Sequence, residues 1–192
     1  MISEDYTGEL VQDVESGKVV IPFVNGKKHG LSKFICSEGI VLAEIPYVDD
    51  DIHGEMKQYY ANGSILSIME YVRGVLCGRF ISFFENGMKR LETSYKDGEF
   101  DGKFAAFDEF GDKVSEVSYQ RGKKVGNSVL FYPKSLGGGE FELSNYNDNG
   151  LLNGNVVTLY QSGKIMSVTP YINGRAQEYT KTYSENGAEI KT

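Results

Sequence analysis

The 192-residue chain contains no tryptophan, two histidines, two cysteines and four prolines, and each shortage closes off a class of protein. Two cysteines, Cys36 and Cys77, cannot staple a disulfide scaffold, and they fit a reducing compartment at least as well as an oxidising one. No stretch approaches the roughly 18 apolar residues of a membrane span, and Met1-Ile2-Ser3-Glu4-Asp5 has neither the basic nor the apolar region of a secretory leader. The expectation is a cytoplasmic protein, or an exported one if a leader has been removed. Positive charge is also short, with 20 Lys and Arg against 27 Asp and Glu for a net charge of −7. Phosphate-backbone binding needs clustered positive charge, so nucleic acid is not an expected partner. An anionic membrane attracts basic clusters and would find only Lys27-Lys28 and Lys123-Lys124, so no membrane partner is expected either.

Glycine and aromatics are abundant instead, with 23 Gly, 13 Tyr and 11 Phe. One set of glycines falls at Gly39, Gly63, Gly87, Gly111, Gly139, Gly163 and Gly187, in steps of 24 residues with one of 28. A second set runs Gly26, Gly74, Gly98, Gly122, Gly150 and Gly174, with Asp50 in the place of a glycine. A third, four residues behind the second, runs Gly30, Gly54, Gly78, Gly102, Gly126 and Gly154. An aromatic column keeps the same register as Phe23, Tyr47, Tyr71, Tyr95, Tyr119 and Tyr171, broken at Asn147, which has Tyr146 beside it. Four columns in one phase make an internal repeat covering nearly the whole chain.

Within a unit, Arg79-Phe80-Ile81-Ser82-Phe83-Phe84 has strand composition and stops at Glu85-Asn86-Gly87. The return run from Met88 to Tyr95 puts Leu91, Thr93 and Tyr95 on one face by its two-residue period. Asn-Gly and Asp-Gly pairs, at Asn25-Gly26, Asn62-Gly63, Asn86-Gly87, Asp97-Gly98, Asn149-Gly150, Asn173-Gly174 and Asn186-Gly187, predict type I′ hairpin turns. The next unit is entered through a Gly-x-x-x-Gly loop whose third residue (Ile52, Leu76, Phe100, Leu152) is expected to fold back over the aromatic row. The fold class is therefore all-β: tandem 24-residue β-hairpin repeats in one elongated, twisted antiparallel sheet. Residues 1–192 form a single repeat domain of about seven and a half hairpins by this period, with an irregular N-terminal cap at 1–22, a mobile loop insertion at 133–139 and a C-terminal cap at 175–192.

The units containing Tyr59-Tyr60-Ala61-Asn62-Gly63, Phe83 to Gly102, and Tyr183-Ser184-Glu185-Asn186-Gly187 resemble the bacterial variant of the MORN repeat. More closely, the pattern is similar to the repeats of the YwqK-type antitoxin family. The resemblance spans most of the chain from about Phe23 and implies a repeat ribbon that binds and neutralises a toxin. Departures from the pattern are Asp50 and Glu178 in the place of glycine, Phe110-Gly111 in the place of Asn-Gly, and the insertion near Ser135.

Catalytic and metal chemistry find little support. His29 and His53 occupy one repeat column with Cys77 and Asp101, but equivalent positions lie two strands, about 9.5 Å, apart. Two nitrogen ligands of one zinc must each sit about 2.1 Å from it, so no metal site is expected. The same spacing argument separates Cys36 from Cys77, which are read as thiols. No Gly-x-Ser-x-Gly elbow is present, and a carboxylate pair such as Glu92 with Glu116 reads as part of a solvated face. No catalytic residue, metal or cofactor is assigned, and the chain is read as a non-enzyme.

Recognition residues are expected where units differ. Residues 1–51 hold ten acids against four bases, while residues 52–192 hold seventeen against sixteen, so most of the excess charge lies in one quarter of the chain. The leading expectation is an antitoxin or immunity protein whose partner, a cognate toxin with a basic surface, docks on Glu38, Glu44, Asp49, Asp50 and Asp51. The alternative is a structural or surface-exposed repeat scaffold. The chain is expected to be a monomer or a weak edge-paired dimer.

Overall fold

The computed structural model describes residues 3–190, which form twenty antiparallel strands, one short 3-10 turn at Lys134–Leu136 and no α-helix. By contact the chain falls into two compact units. The first runs to Arg90 with Ser94–Glu99, and the second takes Leu91–Thr93 and everything from Phe100. Each is a meander in which a strand pairs with the one before it and the one after it.

The first unit opens with strands β1 (Gly8–Val14) and β2 (Gly17–Val24), paired without interruption from Gly8↔Phe23 to Val14↔Gly17. The sequence predicts an irregular cap over residues 1–22, and the structure corrects this. Glu15-Ser16 is a two-residue turn, and the alternating apolar residues Leu10, Val19 and Ile21 are enough to carry a regular hairpin. The following strands Gly30–Cys36, Val41–Val48, Gly54–Tyr59, Ile65–Val72 and Val75–Phe83 repeat the plan. In the second unit Gly102–Phe107, Lys113–Gln120, Lys123–Phe131, Glu140–Tyr146, Gly154–Leu159 and Ile165–Ile172 do the same.

Column tyrosines face third-set glycines across each hairpin: Gly30↔Tyr47, Gly54↔Tyr71, Gly102↔Tyr119 and Gly154↔Tyr171. These glycines hold φ of 104–113°, in the region that side chains disfavour, so the backbone itself asks for glycine at this seat. In the hairpin with the insertion, Gly126 faces Tyr146, so Tyr146 and not Asn147 takes the column seat. The third loop residue does cover the column where it is aromatic, the Phe100 ring lying 5.1 Å from that of Tyr119. Where it is lysine it still does so, Lys28 standing 5.1 Å from the centre of the Tyr47 ring and Lys124 5.3 Å from that of Tyr146.

The turns are of two kinds, which the Asn-Gly signal alone does not separate. At Asn25-Gly26, Asp49-Asp50, Arg73-Gly74, Asp97-Gly98, Arg121-Gly122 and Asn173-Gly174 both residues have positive φ, as a type I′ turn requires. At the opposite ends of the hairpins only the glycine does. Asn62, Asn86 and Asn186 keep ordinary φ, and each Oδ1 instead accepts the N–H two residues on, from Ser64 at 2.8 Å, Met88 at 2.9 Å and Ala188 at 3.1 Å. The type I′ expectation is therefore corrected at these turns and at Asn149-Gly150, where Asn147 Oδ1 accepts the N–H groups of Asn149 and Leu151. The insertion is closed rather than open: Gly138 donates to the Pro133 carbonyl and Tyr132 to that of Gly139.

The type I′ turns also join successive hairpins. Gly26 N–H donates to Tyr6 O, Asp50 to Lys28 O, Gly74 to Ile52 O, Gly98 to Leu76 O, Gly122 to Phe100 O and Gly174 to Leu152 O, at 2.8–3.0 Å. Tyrosine hydroxyls do the same from the other end, Tyr60 reaching Phe83 O, Tyr132 reaching Leu159 O and Tyr160 reaching Tyr183 O, each at 2.8 Å. Little is deeply covered. Among the described residues the apolar side chains below a tenth exposed are Phe23, Ile81, Val117 and Leu159, and none is below 2%. With so thin a core, cross-strand pairs and these junction bonds carry a large share of the stability.

Candidate partner-binding surface

The five carboxylates expected to dock a partner do not form one patch. Asp49, Asp50 and Asp51 sit together at a type I′ turn, while Glu38 lies at the turn on the far end of the strand Val41–Val48, about 26 Å away at 3.3 Å per residue. Glu44 stands midway along that strand. Four of the five already have partners. The Glu38 carboxyl is held below its ordinary pKa by a hydrogen bond from the Cys36 side chain. Glu44 accepts the Tyr59 hydroxyl at 2.8 Å and lies 3.9 Å from the Lys33 ammonium. Asp49 faces His29 Nδ1 at 3.5 Å. Asp50 Oδ1 accepts the Lys28 N–H at 2.9 Å.

That last bond explains why aspartate replaces the glycine of the repeat. Asp50 adopts φ of 76°, which costs a side-chain residue on the order of 1 kcal/mol, and its carboxylate offsets this by binding a backbone donor of the preceding loop. Asp50→Gly should therefore be nearly neutral in urea unfolding. Asp50→Lys should cost about 1 kcal/mol more, because it keeps the strained φ and loses the bond. An Asp50→Lys midpoint equal to that of the parent would show that the carboxylate bond contributes nothing, and equal midpoints for the two variants would show that the left-handed φ carries no strain.

The histidine column also has local partners. His29 faces Asp49, and Asp101, in the same column, accepts the Arg121 N–H at 3.3 Å. Cys36 and Cys77 are both free thiols. Glu92 and Glu116 flank Ala105 on opposite sides, two strands apart, and the Lys113 ammonium beside Glu116 lowers its pKa.

Two features escape a reading by columns. Burial first, and then the hydrogen bond and charge of Glu44, push the Tyr59 phenol from 10.0 up to about 12. The unfolded phenol ionises near 10.0 and the folded one near 12, so the stability tied to its protonated form is complete below pH 10 and lost as pH rises through 12. In an absorbance titration Tyr59 should be among the last phenols to ionise. Glu44→Gln should bring it only part of the way back, since burial remains.

The second feature is Phe110, 75% exposed at a hairpin tip where the repeat places asparagine. Its turn keeps its shape because Asp108, in the seat occupied elsewhere by Tyr60 and Phe84, accepts the N–H groups of Phe110 at 3.0 Å and Asp112 at 2.9 Å. The bond made by the turn asparagine has moved two residues back. Two coupled departures from the repeat, at 108 and 110, were the signal in the sequence.

Residues 52–73 and 76–97 match the MORN repeat variant family. These two segments of the chain are MORN-variant repeats. Each matched MORN segment begins at the loop residue beside the aromatic column, Ile52 or Leu76, and ends on the first residue of a type I′ turn, Arg73 or Asp97. The same frame recurs from Lys28 to Asp49 and from Phe100 to Arg121. MORN repeats are generally protein- or membrane-binding modules. No curated protein matches the chain.

Proposed function

We propose that this chain, which carries MORN-variant repeats, is a non-catalytic protein-binding protein of the antitoxin or immunity kind, which covers the working surface of a basic toxin, in the cytoplasm. The observation that carries the reading is Phe110. In the repeat frame most positions serve a turn, a column or a junction, and here that duty has moved to Asp108, which leaves a large aromatic exposed. Exposed aromatics at variable positions of repeat proteins are the residues that anchor protein partners. The acid-rich first quarter supports a basic partner by steering its approach. The test is co-expression with the product of the neighbouring toxin gene. Growth should be rescued and the two chains should co-purify, and Phe110→Asn should weaken the complex at least tenfold with unchanged thermal stability. Rescue failing with well-folded protein would overturn the toxin reading and favour a structural scaffold. An unaltered affinity for Phe110→Asn would remove Phe110 from the contact.

A further inference from the structure

Strand β1 lies at the start of the first unit and, among the described residues, pairs on one side only, with β2. Val14 and Gly17 flank a two-residue turn and stand opposite each other, a position that in a two-residue hairpin is a hydrogen-bonded pair. By antiparallel alternation, Gln12, Leu10 and Gly8 also bond inward. The N–H and C=O groups of Glu9, Val11 and Asp13 therefore point away from the sheet. Among the described residues only the Glu9 carbonyl has a partner there, the Tyr6 hydroxyl at 2.9 Å.

Such an edge is a template for another strand, and proteins normally blunt it with lysine, proline, a bulge or a cover. β1 has no lysine and no proline, and its ladder runs without the register shift that interrupts hairpins such as Gly30–Cys36 with Val41–Val48. It carries acids instead. Glu4, Asp5, Glu9, Asp13 and Glu15 precede the first base of the chain, Lys18, which stands opposite Asp13. Glu9, Val11 and Asp13 share one face, with Val11 56% exposed between the two carboxylates. Pairing with a second copy of β1 would bring carboxylates against carboxylates, which is destabilising across strands. A strand with Lys or Arg at the positions facing Glu9 and Asp13, and an apolar residue facing Val11, meets opposite charge and apolar surface in register.

We propose that the outer edge of β1 is a docking site for a basic, extended segment of a partner protein, which adds to the sheet as a further strand. The site stands whether or not that partner is a toxin, and it is distinct from the tip that carries Phe110.

The test uses the whole chain and a seven-residue peptide alternating lysine and valine, with a glutamate-valine peptide and an N-methylated lysine-valine peptide beside it. The lysine peptide should slow hydrogen exchange at the Val11 and Asp13 amides at least tenfold, and its binding should weaken steeply with salt. The glutamate and N-methylated peptides should do neither. Val11→Pro removes an outward donor without touching the β1–β2 ladder, so it should leave the unfolding midpoint near that of the parent and weaken the lysine peptide at least tenfold. Glu9→Lys with Asp13→Lys should reverse the charge preference. Equal binding of the methylated peptide, protection of Val11 and Asp13 before any peptide is added, or a preference that survives charge reversal would each overturn the proposal.

Discussion

Gly17→Ala is expected to be the most damaging single-methyl change in the first unit, costing on the order of 3 kcal/mol and lowering the thermal midpoint by roughly 6–12 °C. Gly17 faces Cys36 across the ladder between β2 and the strand Gly30–Cys36. A Cβ there would stand 2.7 Å from the Cys36 Cα and closer still to the Ile35 carbonyl oxygen. Both obstacles are backbone, which cannot rotate aside as a side chain can, so the two strands must separate and give up the hydrogen bonds between them. Gly154→Ala is the control. Gly154 has φ of 104° with no atom within 4 Å of an added Cβ, so only the conformational penalty of about 1 kcal/mol applies. Calorimetry on both variants decides the matter. Similar losses would mean that the close approach at Gly17 relaxes without cost.

Phe23→Ala should cost about 3 kcal/mol. Phe23 is 7% exposed, begins the aromatic column, faces Gly8, and meets the Tyr6 ring edge-on at 5.9 Å between centroids. Among the described residues it is the one buried aromatic, and only three other apolar side chains, Ile81, Val117 and Leu159, are buried as deeply. Tyr6→Ala should cost less, because its ring is only half-buried. The double variant should fall short of the sum by about 1 kcal/mol, the worth of the ring pair. A loss below about 1 kcal/mol for Phe23→Ala in urea unfolding would shift the weight of stability from the column to the backbone ladders.

The glycine and tyrosine columns were legible because they answer to backbone geometry: a glycine at φ near 105° opposite a ring leaves the same mark in every repeat. The turn types were not, because asparagine before glycine serves two geometries. It can enter the left-handed region, as Asn25 and Asn173 do, or keep ordinary φ and accept an N–H, as Asn62 and Asn86 do. The letter is the same and the neighbouring strand ends decide. Asp50 likewise looked like charge set in a glycine's place, because its bond to Lys28 joins residues from different repeats. The column break at Asn147 was a matter of register, resolved once Tyr146 is seen facing Gly126. Of the candidate site, the acidic bias was legible, but the partners of Glu38, Glu44, Asp49 and Asp50 were not. Those of Glu44, Asp49 and Asp50 lie on another strand or turn, and that of Glu38, Cys36, lies two residues back at the start of its own turn.

The junction bonds have a consequence for how the chain is made. Each type I′ turn donates to a carbonyl in the loop that precedes it, as Gly74 does to Ile52 and Gly98 to Leu76, and ladder pairs reach no further than neighbouring strands, as from Gly126 to Tyr146. A repeat leaving the ribosome therefore finds its acceptor already in place behind it and waits on little that has yet to be translated. Few β proteins have this property, since sandwiches and barrels must hold early strands open for late ones. With contacts this local, folding should run faster than the milliseconds to seconds of an all-β sandwich, and should advance in step with synthesis from the first hairpin.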